Sequence, residues 1–391
     1  MSKVCSIFSQ MLQLISRTGF DAAVRKHKAE RHARGFSSWG QFVAMLFCQL
    51  GGAKSLREIC GGLAASEGKL RHLGLPQAPT RSTLAYANEH RPWQLYEEVF
   101  HQLLSQCQAV TRPSGGHRKF RFKHKLLSLD ATLIDLCASV FDWARFRRTK
   151  GAVKLHLLLD HDGFLPCYAV ITEGKQHEVR VARQWSYQPG TLLVMDRGYN
   201  DYTWFADLTQ RGVHFVTRMK DNAEYIVVED RELPHRRGLQ RDQVICFYPH
   251  ARDGRECYFR RIEFYDEEQD RVLVFVTNHL KLAAATVAEV YKQRWRIELF
   301  FKALKQSLRI KTFVGTSANA LKTQIWAALI AMLLIKYLQL KATFGWSLSN
   351  LVALLRQQLF VYRDLWVWID NPFQAPEPLE SMPEQLAMIW Q

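Results

Sequence analysis

Leu192-Leu193-Val194-Met195-Asp196-Arg197-Gly198-Tyr199 decides how the rest of this chain is to be read. Four consecutive apolar residues bounded by turn signals suit a strand buried on both faces, as in the centre of a parallel sheet. The strand ends on a carboxylate, and ligands of open α/β sheets collect outside the carboxyl ends of the strands. Asp196 therefore falls where chemistry is expected. Arg197-Gly198-Tyr199 then turns the chain into a helix near 201–210.

Working upstream, Leu126–Leu136 (LLSLDATLIDL) alternates, with Leu127, Leu129, Ala131 and Leu133 on one face and Ser128, Asp130 and Thr132 on the other. VKLHLLLD (153–160) and FLPCYAVIT (164–172) flank Asp160-His161-Asp162-Gly163, a hairpin turn. That Asp-His-Asp resembles a metal-ligand set, but turn chemistry accounts for it more simply. His177–Trp185 reads as helical and Val213–Thr217 as another strand. Three strands, a helix, a strand, a helix and a strand is the order of a ribonuclease-H-like α/β core. The expected fold is a mixed five-stranded sheet with helices on both faces, built from 126–218 and 271–315. A β-rich insertion, 219–270, interrupts it.

An all-α N-terminal domain, 1–110, precedes the core. Ser55-Leu-Arg-Glu58 has capping-box spacing, and Ser82 is placed to open a further helix. A helix-turn-helix DNA reader and a plain helical bundle are both consistent with this pattern. Pro113 and Gly115-Gly116 mark a hinge in a basic linker, 111–125, and a helical region, 316–391, closes the chain.

With 53 Lys+Arg against 37 Asp+Glu, the 391 residues carry a formal charge of +16, and 48% are hydrophobic. Wholesale disorder is excluded, and a polyanionic partner is expected. Arg118, Lys119, Arg121 and Lys123 in the linker, with Arg147 and Arg148 after the first strand, suit contacts to nucleic-acid phosphates. The eight cysteines form no C-x-x-C pair, which points to reduced thiols rather than a disulfide frame. No signal peptide is evident at the N-terminus. The apolar run Ile325–Ile335 reads as a core helix rather than a membrane span. The expectation is a soluble, cytoplasmic, DNA-associated protein.

A long helix is expected over about 284–311. At 100° per residue Tyr291, Arg294, Glu298, Lys302 and Lys305 share an arc of about 80°, beside a stripe of Ile297, Phe300, Phe301, Leu304 and Leu308. Asp130 and Asp196, on adjacent parallel strands, would join Glu298. Three converging carboxylates repel unless a cation neutralises them, and an all-oxygen set suits Mg²⁺. Two such ions could serve an in-line phosphoryl transfer. Asp135, Asp162, Glu173 and Glu178 are competing acids.

Tyr291-x2-Arg294-x3-Glu298-x6-Lys305 resembles the Tyr-Arg-Glu-Lys signature of bacterial DDE transposases of the "insertion sequence four" family. SLDATLIDL, LLVMDRGY, FVTRMK and the apolar helix IWAALIAMLLIKYL are similar to that family's blocks. The resemblance implies Asp130, Asp196 and Glu298 as catalytic and metal-binding residues. Mg²⁺ is the implied ion, with Mn²⁺ able to substitute, and Tyr291, Arg294, Lys302 and Lys305 would lie against DNA. It further implies a homodimer that synapses double-stranded terminal inverted repeats, then nicks them, forms and reopens a hairpin, and joins target DNA in the bacterial nucleoid. A flipped base would stack on an aromatic. The insertion has no Trp; Tyr225, Phe247, Tyr248, Tyr258 and Phe259 are candidate substitutes, and Tyr291 could help through its ring or hydroxyl. A structure-specific nuclease that does not join, and an inactive DNA-binding derivative, are the alternatives.

Overall fold

The computed structural model describes residues 5–31, 33, 35–66, 68–111, 120, 122, 124–137, 141, 143, 145–147, 150–233, 238–248, 257–308, 310 and 312–374, with the side chains of 145–147 and 150 outside that description. The alternation in LLSLDATLIDL produces β1 (Leu126–Leu136), which pairs antiparallel with β3 (Lys150–Asp160) and parallel with β5 (Leu192–Met195). β3 also pairs with β4 (Leu165–Glu173) and with the short β2 (Arg145–Arg147), and β5 lies parallel to β6 (His214–Arg218). Leu129 lies opposite Met195, so the next step of the same register sets Asp130 beside Asp196.

The sheet does not stop at five strands. β10 (Arg271–Thr277) pairs antiparallel with β6, and its outer edge takes β9 (Phe259–Asp266), then β8 (Leu239–Phe247), then β7 (Tyr225–Asp230). Among the described residues this gives one ten-stranded sheet. The 219–270 insertion therefore continues the core sheet. Its meander satisfies the backbone edge that β10 would otherwise expose.

Strand parity sorts the packing. Leu127, Leu129, Leu193 and Met195 face one layer with Trp204, Phe205 and Leu208 of the helix Tyr202–Gln210, which Asp201 caps. Leu126, Leu192, Val194 and Val216 face the other, under Val287, Val290 and Tyr291 of the helix Ala284–Lys292. Asp130 shares the parity of Leu126, so it points to the second layer. The helix of 177–185 is shorter than expected, Glu178–Ala182.

The expected single helix over 284–311 is two, Ala284–Lys292 and Trp295–Ser307. Between them the amides of Gln293, Arg294, Arg296 and Ile297 bond three residues back rather than four, a tightening that kinks a helix without Pro or Gly. The first helix packs on the central strands, while Ile297, Phe300, Phe301 and Leu304 of the second enter a different core. One straight rod cannot serve both, so the continuous wheel from Tyr291 to Lys305 breaks at Arg294.

That second core gathers most of the helices. Ala318–Lys341, 24 residues, packs against Gln94–Thr111, Ser38–Gly51 and Arg81–His90. It is long and apolar enough to cross a membrane, and here it is buried at the centre of the helical layer. Segments 5–110 and 316–374, far apart along the chain, thus meet in one core with Val153, Leu155 and Leu157 of β3. Gln10 ties them, donating to the Arg363 carbonyl at 2.7 Å and accepting the Leu365 amide at 2.9 Å. Ser55 caps Leu56–Ala64 as expected, with Glu58 accepting the Lys54 amide. Thr80 rather than Ser82 starts Arg81–His90. Residues 65–80 separate these two helices, far more than the three- or four-residue turn of a helix-turn-helix.

Candidate active site

The carboxyl ends of β1 and β5 and the first turns of Trp295–Ser307 meet over one patch. Asp130 lies inside β1 rather than at its tip, and its Oδ1 accepts the Ala131 amide at 2.8 Å. Asp196 follows β5 and caps a 3₁₀ turn, Arg197–Tyr199, accepting the Gly198 amide at 3.1 Å. Arg294 bridges the acids of sheet and helix, with Nη1 2.6 Å from Glu298 Oε1 and 3.8 Å from Asp130 Oδ2. Its Nε is buried without a partner among the described residues.

Burial pushes the Asp130 carboxyl up to about 7, with Glu178 and Asp196 adding to the rise and Arg294 and the Ala131 amide opposing it. Desolvation outweighs one imperfect ion pair, the usual result for a carboxylate taken out of water. Glu178 is thus a fourth acid of this patch, itself paired with Lys154 at 3.1 Å. The competing acids Asp162 and Glu173 lie elsewhere, in the hairpin turn and at the far end of β4.

Two adjoining clefts open here. Asp130, Thr132, Glu298, Lys302 and Lys305 line one of about 390 Å³, and Asp196, Arg197 and Lys220 line another of about 510 Å³. Lys305 also donates to the Leu133 carbonyl at 2.8 Å, which ties the helix to β1. Tyr291 is 9% exposed and packs on Phe275, so its ring is closed to a base. Arg118, Lys119, Arg121, Lys123 and Arg148 lie outside the described residues, as does the side chain of Arg147 in β2.

Of the insertion's aromatics, Phe247 and Phe259 are core, while Tyr248 and Tyr258 are exposed and Tyr225 lies under Arg261. Trp295 escaped the sequence reading. It is 56% exposed and adjoins Arg294. Its position one residue after a signature arginine, off the apolar stripe, was the available signal.

The donor set fits a hard divalent ion: it is all-oxygen, and burial raises the Asp130 carboxyl to about 7 despite Arg294 beside it, a cost that a bound cation would offset. Asp130, Asp196 and Glu298 do not bring one oxygen each within 4.8 Å of the others; among the described residues His124, His214 and His279 bring ring nitrogens that close together. Arg294 takes the place between Asp130 and Glu298.

Carboxylates side by side on neighbouring parallel strands, a further one on the covering helix and cations beside them are the arrangement expected of a nucleic-acid phosphoryl-transfer enzyme. The model of the transposase DDE domain matches residues 121–334, over half of the chain, and the chain belongs to that family. It is a bacterial insertion-sequence DDE transposase, a polynucleotidyl transferase that acts on DNA. Residues 4–76 match a domain of unknown function (DUF4372). A candidate transposase of Sinorhizobium fredii, y4zB, is 28% identical over 313 residues, 79% of this chain and 85% of the relative. A candidate transposase for insertion sequence element IS5377 of Geobacillus stearothermophilus is 29% identical, over 68% of this chain and 70% of the relative. Among solved structures, a piggyBac transposase synaptic complex with hairpin DNA aligns over 96% of this chain and 83% of its own at 9% identity and a TM-score of 0.47.

Proposed function

We propose that this chain moves its insertion sequence by cut-and-paste transposition, with Asp130, Asp196 and Glu298 as the catalytic carboxylates of a ribonuclease-H-like core. The observation that carries this reading is the parallel register of β1 and β5, which aligns Asp130 with Asp196 beneath Arg294 and Glu298. The strand order β4-β3-β1-β5-β6, with β1, β5 and β6 parallel, supports the core assignment.

Each step of such a reaction forms one phosphorus–oxygen bond and breaks another. Water attacks at the transposon end, and the freed 3′-hydroxyl then attacks the opposite strand to close a hairpin. Water reopens it, and the 3′-hydroxyl finally attacks target DNA. In each case the departing oxygen leaves with its bonding electrons and gains a proton. Divalent ions, two Mg²⁺ in this proposal, would favour ionisation of the attacking oxygen and offset charge on the departing one. Asp130, Asp196 and Glu298 would hold them. Arg294 orients Asp130 and Glu298 and has further N–H groups for a phosphate, while Lys302 and Lys305 line the cleft a strand would follow. Trp295, exposed on the same helix as Glu298, offers a ring for a displaced base. The helical layer, the basic linker and Arg147–Arg148 would carry flanking duplex, and two copies would pair the two inverted repeats in the bacterial nucleoid.

The test is a plasmid strand-transfer assay with matched transposon ends and Mg²⁺, with Asp196→Asn as control. Joined product supports the proposal. Cleavage without joining points to a nuclease, and binding without either to an inactive derivative. An Asp196→Asn protein as active as wild type removes Asp196 from the site.

A further inference from the structure

At the opposite edge of the same strands, His124, His214 and His279 come together from three distant parts of the sequence. His124 lies two residues ahead of β1, His214 opens β6, and His279 follows β10, which ends where β6 begins. One ring nitrogen of each lies within 4.8 Å of the other two. Ring centroids are 4.4 Å apart for His214 and His279, 4.9 Å for His124 and His214, and 5.0 Å for His124 and His279.

We propose that these three histidines bind a borderline divalent transition-metal ion of the Zn²⁺ class, at a site separate from the catalytic carboxylates. Three imidazoles with an open fourth position form a common zinc donor set. The Nε2 atoms of His124 and His279 are 3.1 Å apart, and two nitrogens on one tetrahedral zinc lie about 3.3 Å apart. His124 donates its Nδ1 proton to the Gly190 carbonyl at 2.8 Å, which leaves the Nε2 lone pair facing inward. That outer bond to a backbone carbonyl is how metal-bound histidines are held in tautomer and orientation. His214 Nδ1 is buried with no hydrogen-bond partner among the described residues, a polar atom that a metal ion would satisfy.

His279 shows what binding must change. Its Nδ1 accepts the Leu282 amide at 3.1 Å, so Nε2 holds the proton and donates to His124. On metal binding that proton moves to Nδ1 and the Leu282 amide turns to solvent, so Nε2 becomes a ligand with no net change in protonation. One part-buried turn hydrogen bond is small against three metal–nitrogen bonds. The bound ion would clasp the segment entering β1 to the start of β6 and the end of β10. Nitrogen donors at this edge and oxygen donors at the other would keep the two kinds of ion apart.

The test uses the full chain without a histidine tag, stripped with EDTA and titrated with Co²⁺. One Co²⁺ per chain with intense visible bands of low-coordinate cobalt, bleached by equimolar Zn²⁺, is expected. His214→Gln should weaken binding at least about 10-fold, while Asp196→Asn should leave the bands unchanged. His124→Ala, at a half-buried position, decides the matter should His214→Gln fail to fold, with circular dichroism as the check. Absence of the bands up to millimolar Co²⁺, or bands that survive both histidine variants, overturns the proposal.

Discussion

β1 and β6 each have two ends, and the molecule treats them differently. At the carboxyl edge Asp130, Asp196 and Glu178 crowd together, with cations supplied by other elements, Arg294 from the helix junction and Lys154 from β3. At the amino edge three imidazoles pack ring against ring, two of them held by backbone groups. Charge at the first edge is under-compensated, whereas the three rings of the second bring no carboxylate among them. The physical cause is shared, because burial disfavours ionisation in both groups. It keeps a proton on Asp130 and keeps one off His279. Similar burial therefore gives opposite responses to pH and affinity for opposite kinds of ion.

The largest effect that can break this comparison is on activity. Asp130→Asn and Asp196→Asn should each lower strand transfer by about 10³-fold or more, because each removes a charge from the reacting centre. End cleavage and joining on labelled oligonucleotides measure it. Near-normal rates in either variant would move the chemistry away from the carboxyl edge. Arg294→Ala comes next, with a loss of about 10²-fold and retained folding and DNA binding. An insoluble Arg294→Ala protein would mean that the Asp130–Arg294–Glu298 bridge is structural first.

The carboxyl edge was legible because its signals are local. Alternation in LLSLDATLIDL fixes which way Asp130 points, and the run Leu192–Met195 before Asp196 marks a central strand. Parallel register then aligns the two acids. The kink at Arg294 was not legible, since no Pro or Gly interrupts 284–308 and apolar periodicity runs through it. Only the competition between two cores requires the break. The merging of 219–270 into the main sheet was hidden for a similar reason: strands announce themselves, but their edge partners do not. Glu178 stood among several equivalent acids until the fold set it against Asp130. The histidines are 90 and 65 residues apart along the chain, with no metal-ligand spacing, so only the sheet topology unites them.

A stability measurement sharpens the contrast with a smaller effect. Asp130 has its pKa raised to about 7 from an unfolded value near 3.8. Between those values the folded state binds more protons than the unfolded one. Its contribution is therefore complete below pH 4 and is lost as pH rises through 7. In metal-free protein Asp130→Asn should add about 2 kcal/mol at pH 7.5 and remove that part of the pH slope. Urea unfolding at pH 5, 6 and 7.5 checks it. A less stable variant would mean that the charged Asp130–Arg294 contact outweighs desolvation.

The smallest effect has the opposite sign and comes from the amino edge. Burial, then His214, His124 and Arg260, hold His279 down to about 4, against an ordinary value of 6.5. Between pH 6.5 and 4 the unfolded chain binds the proton that the folded state refuses. This contribution is present above 6.5 and is lost as pH falls towards 4. His279→Phe in metal-stripped protein should abolish that loss. Acidification from pH 6.5 to 5 would then shift its urea midpoint upward relative to wild type, as Asp130 continues to take up its proton. The size of the shift is limited by partial exposure of His279, which screens its like-charged neighbours. A midpoint that falls on acidification as steeply in His279→Phe as in wild type would show that the imidazoles tolerate charge, and that the two edges differ only in their donor atoms.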